Sequence, residues 1–121
     1  MTVQGDVCHR IGGGQVANLG LRRQEASLIP PGISVLIGGT PEKAAANWRI
    51  AFPRSGPSAK ASVVGVAEIE NIRELGFDVI AMPTPNFPNH GRLIHPTEGE
   101  AEFTPENLQR LSNAFTDRIG L

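Results

Sequence analysis

Fourteen glycines and ten prolines are spread through 121 residues, and nothing else in this chain constrains its fold as strongly. Proline fixes φ and removes a backbone donor, and glycine admits backbone conformations that other residues avoid. Frequent breaks of both kinds cut the chain into short elements joined by defined turns. The length suits one domain over residues 1–121, large enough for a single hydrophobic core. The least structured stretch, Pro53-Arg54-Ser55-Gly56-Pro57-Ser58, reads as a loop inside that domain.

The elements follow from the pattern between the breaks. Residues 6–11 alternate and read as a strand, with Val7, His9 and Ile11 on one face and Cys8 and Arg10 on the other. Gly12-Gly13-Gly14 ends it, and residues 15–19 can form a turn of helix. A second strand, residues 33–37, is entered through Pro30-Pro31-Gly32. Thr40 as N-cap and Pro41 at the first helical position start a helix with Glu42 in its first turn. Ala44, Ala45, Trp48 and Phe52 form its buried stripe, and Pro53 stops it.

Residues 61–67 form a third strand and 68–75 a short helix ending at Gly76. Residues 77–82 and 92–95 supply two more strands. A second capped helix opens at Thr104-Pro105 with Leu108, Leu111, Phe115 and Ile119 as its core stripe. The strand–helix–strand unit over residues 61–82 is short for a parallel crossover. The expectation is therefore a single compact α+β domain: a mixed or antiparallel sheet of about five strands, two clear helices and one short one.

Charge and cysteine content narrow the function. The balance of 11 basic against 12 acidic residues lacks the excess that neutralises phosphates, so general nucleic-acid binding is not expected. A lone cysteine, Cys8, allows no internal disulfide and fits a reducing compartment. No signal peptide and no apolar run of membrane-spanning length is evident, so the expected location is the cytoplasm.

Polar chemistry concentrates in one run, Phe87-Pro88-Asn89-His90-Gly91-Arg92-Leu93-Ile94-His95-Pro96. His90 and Arg92 share a strand face, and together with Arg10 they would bind a phosphate or carboxylate. His90 would then do acid–base work, helped by a glutamate of the 98–102 segment, Glu100 first. Asn89 and His95 complete the run as binding residues. A metal site would need His90 and His95 to find partners such as Asp78, Glu98 or His9, and none is assigned. Gly12-Gly13-Gly14 could cradle an anion, but a strand-ending turn explains it better.

The segments Pro31-Gly32-Ile33-Ser34-Val35-Leu36, Gly76-Phe77-Asp78-Val79-Ile80 and Phe87 to Pro96 resemble a set of small bacterial proteins, a likeness that implies no activity. The order His9-Arg10, then a strand, turn and helix over 34–52, is similar at fold level to ADP-ribosyltransferase-type proteins. That likeness implies NAD or another nucleotide as substrate, a serine motif and a late glutamate. Ser34 falls within a strand here, and Glu98, Glu100 and Glu102 fall in a loop.

Two functions follow. The first is a non-catalytic, cofactor-free protein-binding module, for instance an immunity or accessory component of a bacterial conflict system. Phe87, His90 and Arg92 would anchor its partner from the 83–96 segment. The alternative is a small enzyme on a nucleotide or other anionic substrate, using His90, Arg10 and Arg92. Whether those three converge in one pocket discriminates the two. An exposed sheet edge would also permit a homodimer.

Overall fold

The computed structural model describes residues 7–21, 23–51 and 63–120. Phe52 and the 53–58 loop lie outside the described residues, as does the start of the third predicted strand. Six strands form one antiparallel sheet: β1 (Val7–Ile11), β2 (Gly32–Ile37), β3 (Val63–Glu68), β4 (Asp78–Ala81), β5 (His90–Ile94) and β6 (Asp117–Gly120). Their order across the sheet is β4-β5-β2-β1-β3-β6. The helices are α1 (Val16–Leu19), α2 (Arg23–Ala26), α3 (Pro41–Ala51), α4 (Ile69–Glu74) and α5 (Pro105–Ala114), with a 3₁₀ turn at Gly99–Glu102. The chain is thus a single small α+β domain.

Both capped helices form where their signals stand. Thr40 Oγ1 accepts from Lys43 N at 3.2 Å, and Thr104 Oγ1 accepts from Asn107 N at 3.2 Å. The sheet has one more strand than expected, because the last helix stops at Phe115 and Ile119 belongs to β6, paired with Val64. Ile119 falls at helical spacing from Leu111 and Phe115, which is why periodicity alone extends the helix. The 3₁₀ turn replaces what reads as a plain loop before that helix.

A core lies on each face of the sheet. On one, Cys8, Ile33, Val35 and Leu93 meet Leu19 of α1, Ile69 and Ile72 of α4, and Leu111 of α5. On the other, Ile11, Leu36 and Val64 meet Ala44, Ala45 and Trp48 of α3 together with Phe87. Cys8 and Ile11 therefore lie on opposite faces, as strand alternation requires.

The glycine run 12–14 closes one end. All three residues have positive φ, +106°, +107° and +79°. A Cβ on Gly65 of β3 would stand 2.2 Å from the Gly13 carbonyl oxygen, so the loop lies directly on that strand.

Candidate functional site

Strand register decides which polar side chains meet. Directly opposed residues in antiparallel strands share a face. His90 pairs with Leu36, Leu36 with His9, and His9 with Val66, which places both histidines on the α3 face. Arg92 pairs with Ser34 on that face. Arg10 pairs with Gly65, and Gly65 with Arg118, on the other. The expected grouping of Arg10 with His90 and Arg92 is therefore split by the sheet itself.

Arg10 is instead a structural cation. Its Nε and Nη2 donate to Asn18 O at 3.1 and 2.7 Å, and Nη1 donates to Ser34 O at 2.8 Å. Asn18 Nδ2 in turn donates to Ile11 O at 3.3 Å. These side chains take over the ladder where β1 diverges from β2 beyond the His9–Leu36 pair. Arg118 does similar duty opposite Gly65, donating to Gly13 O, Gly14 O, Ser112 O and Ser112 Oγ.

The glycine run is closed to anions as well. Gly12 N donates to Val63 O, Gly13 N to Arg10 O, and Gly14 N to Asn18 Oδ1. Every N–H of the run is used inside the protein.

The 83–96 segment is braced rather than open. Phe87 is buried against Trp48, with ring centroids 5.6 Å apart. Thr84 N donates to Phe87 O and Phe87 N returns to Thr84 O and Thr84 Oγ1. Asn89 Nδ2 donates to Ile37 O at 3.1 Å, and Asn89 O accepts from Ile37 N. The His90 Nδ1 sits 2.8 Å from Met82 O, so this ring too is tied to its own loop. Phe87 and Arg92 are both buried, which removes them as exposed anchors. What the loop offers outward is Pro83, Thr84, Pro85, Asn86 and Pro88.

His95 and Glu100 lie at the other end of β5. His95 Nδ1 accepts from Glu98 N at 3.0 Å, and its ring meets Phe77 edge-on. Glu102 Oε1 is 3.7 Å from His95 Nε2, and the 3₁₀ turn carrying exposed Glu100 follows directly. His95 is five residue steps beyond His90, roughly 17 Å along an extended chain. The 98–102 segment is thus held at the His95 end, away from His90. Among the described residues no three His, Cys, Asp or Glu side chains gather so as to hold a metal ion.

One feature escaped the sequence. His9 is 1% exposed, and neither ring nitrogen has a hydrogen-bond partner. Burial holds its pKa below the ordinary histidine value, while the Leu36 and Gly38 carbonyls and the Glu42 carboxylate pull the other way. Those carbonyls come near the ring without reaching hydrogen-bond geometry. Alternation placed His9 on the face of Ile11, but only the α3 packing seals it. Cys8, equally sealed, has its thiol raised to about 12 by burial and is no nucleophile at neutral pH.

The sheet edges are guarded. Met82 N donates to His90 O, so alternation turns the backbone groups of Val79 away from β5. The Asp78 carboxylate takes that outward N–H at 2.8 Å and is itself held by Arg73 Nε at 2.9 Å. At the other edge β6 is short and presents Asp117 and Arg118. No helix among the described residues is long and apolar enough to cross a membrane. Compared with known protein families, with curated proteins and with solved structures, this chain matches none.

Proposed function

We propose that this chain is a non-catalytic protein-binding module of the cytoplasm that presents the 83–88 loop to its partner. The observation that carries this reading is the state of that loop. Its Phe87 is stacked on Trp48, its turn is closed by reciprocal Thr84–Phe87 hydrogen bonds, and its exposed positions are Pro83, Thr84, Pro85, Asn86 and Pro88. A loop already rigid before binding loses little conformational entropy on docking. Prolines at its rim lower that cost further.

The enzyme reading requires Arg10, His90 and Arg92 in one pocket, and Arg10 belongs to the opposite face and is held by the Asn18 carbonyl of α1. A role as an immunity or accessory component of a bacterial conflict system is the setting proposed for the module, on the grounds of its small, near-neutral single domain. Self-association, if it accompanies binding, would use a surface other than the β4 edge that Asp78 caps.

The test compares two baits in one extract. One is the natural chain, and the other carries Gly-Ser in place of residues 83–86, with its fold verified by circular dichroism. A protein retained by the first and lost from the second, then reproduced with purified components, is the expected result. The same proteins on both baits, or none on either, overturns the proposal.

A further inference from the structure

We infer that Arg92 is an anion-binding residue, its guanidinium held at the head of β2 to receive a carboxylate carried on an apolar stem. The inference is independent of the 83–88 loop. It begins from a donor census. A guanidinium carries five N–H groups and buried charges are normally paired. Arg92 is 9% exposed, yet a single hydrogen bond anchors it, Nη1 to Pro30 O at 3.0 Å. Its Nε is sealed without a partner, and no carboxylate pairs with it among the described residues. Three other arginines among the described residues differ. Arg10 donates three hydrogen bonds, Arg118 reaches four acceptor atoms, and Arg73 is paired with two carboxylates.

The fold makes room for this charge. A Cβ on Gly32 would stand 2.6 Å from Arg92 Cγ and 2.4 Å from Leu93 O, so the arginine stem lies across a position that holds no side chain. That path carries the guanidinium along the sheet to Pro30. Its neighbours are mostly apolar: Ser34 pairs with it on one side and Ile80 on the other, Ile94 follows on the same face, and Ile29 beside Pro30 is 92% exposed. Asp78, opposite Ile94, is the acid nearest by register, but its Oδ1 is committed to Arg73 and Val79.

Geometry also selects the ligand. With Nε closed off and one Nη1 hydrogen given to Pro30 O, the remaining Nη hydrogens are left to bind, and they suit a single carboxylate group. A dianionic phosphate would call for a second cation, whereas Arg10 and Arg118 lie on the other face. The apolar flanks favour a carboxylate with a hydrophobic substituent. Its source is either a free organic acid or the C-terminus of a peptide chain.

Thermal melts of the natural chain, Arg92→Met and Arg92→Lys test this. The probes are acetate, butyrate and benzoate against chloride at equal ionic strength, and a short leucine-ended peptide as free acid and as amide. Without added carboxylate, Arg92→Met should melt at or above the natural chain, because an apolar stem replaces an under-compensated charge. Carboxylates should raise the natural chain's Tm by roughly 5 °C at ten times the half-saturating concentration. The rise should grow from acetate to benzoate, vanish in Arg92→Met and need at least tenfold more ligand in Arg92→Lys. A shift from the small acids identifies a free acid as ligand, and a shift from the free-acid peptide alone identifies a chain terminus. If no carboxylate exceeds chloride, or if Arg92→Met melts several degrees lower, the inference is overturned and the guanidinium is a structural group.

Discussion

Replacing His9 by leucine should stabilise this protein, and more so in acid. His9 lies beneath α3 with both ring nitrogens unpartnered. A buried polar atom without a partner costs about 1–3 kcal/mol, so removing two while nearly conserving volume should gain on the order of 1–3 kcal/mol near pH 8 after some repacking loss. The pH dependence follows from the depressed pKa. Above the unfolded value of about 6.5 the ring is neutral in both states and contributes no pH dependence. Below it the unfolded chain takes up the proton first, so stability falls by up to about 1.36 kcal/mol per pH unit until the folded ring also titrates. Between pH 8 and pH 5 the variant's advantage should therefore widen by up to about 2 kcal/mol. Urea denaturation at each pH, followed by fluorescence of Trp48, the sole tryptophan, reports the difference directly. Comparing the two proteins at the same pH isolates the contribution of residue 9, the only position that differs. Parallel pH profiles, or a variant less stable than the natural chain at pH 8, would refute the argument that His9 is an uncompensated buried polar group.

Two further outcomes are expected. Gly65→Ala should cost about 3 kcal/mol in urea denaturation, the upper end for overpacking, since its Cβ would meet the Gly13 carbonyl at 2.2 Å and neither backbone can easily move. Cys8, with its thiol at about 12 and no exposure, should resist iodoacetamide at pH 8 in the native protein and react fully once unfolded, read by mass spectrometry.

Local signals were legible where they rest on chemistry within a few residues. Thr40-Pro41 and Thr104-Pro105 start helices because a hydroxyl caps a free N–H and proline lacks one. Gly76 terminates α4 with φ at +91°. Alternation correctly put Cys8 and Ile11 on opposite faces. It failed at β6, where a four-residue, mostly exposed strand carries no alternation to read and Ile119 mimics the next helical turn.

The site was the harder matter. His90 and Arg92 share a face as expected, but Arg10 could join them only under one register, and the register between β1, β2 and β5 is set by which side chains the core accepts. Asn89, His90 and His95 look in sequence like available functional groups. In the structure Asn89 binds the Ile37 carbonyl, His90 the Met82 carbonyl, and His95 the Glu98 N–H.

The class of fold, short strands and capped helices in one small domain, is legible from the residues because propensity, capping and punctuation act through neighbours in the chain. Strand order is set by long-range packing alone. β3 and β4, adjacent in sequence, end up separated by three strands, with α4 crossing between them. That packing also decided which polar groups are spent on backbone carbonyls and which, like the His9 ring nitrogens and Arg92 Nε, are buried without a partner. Burial depends on contacts between residues far apart in the chain, and no local pattern carries that information.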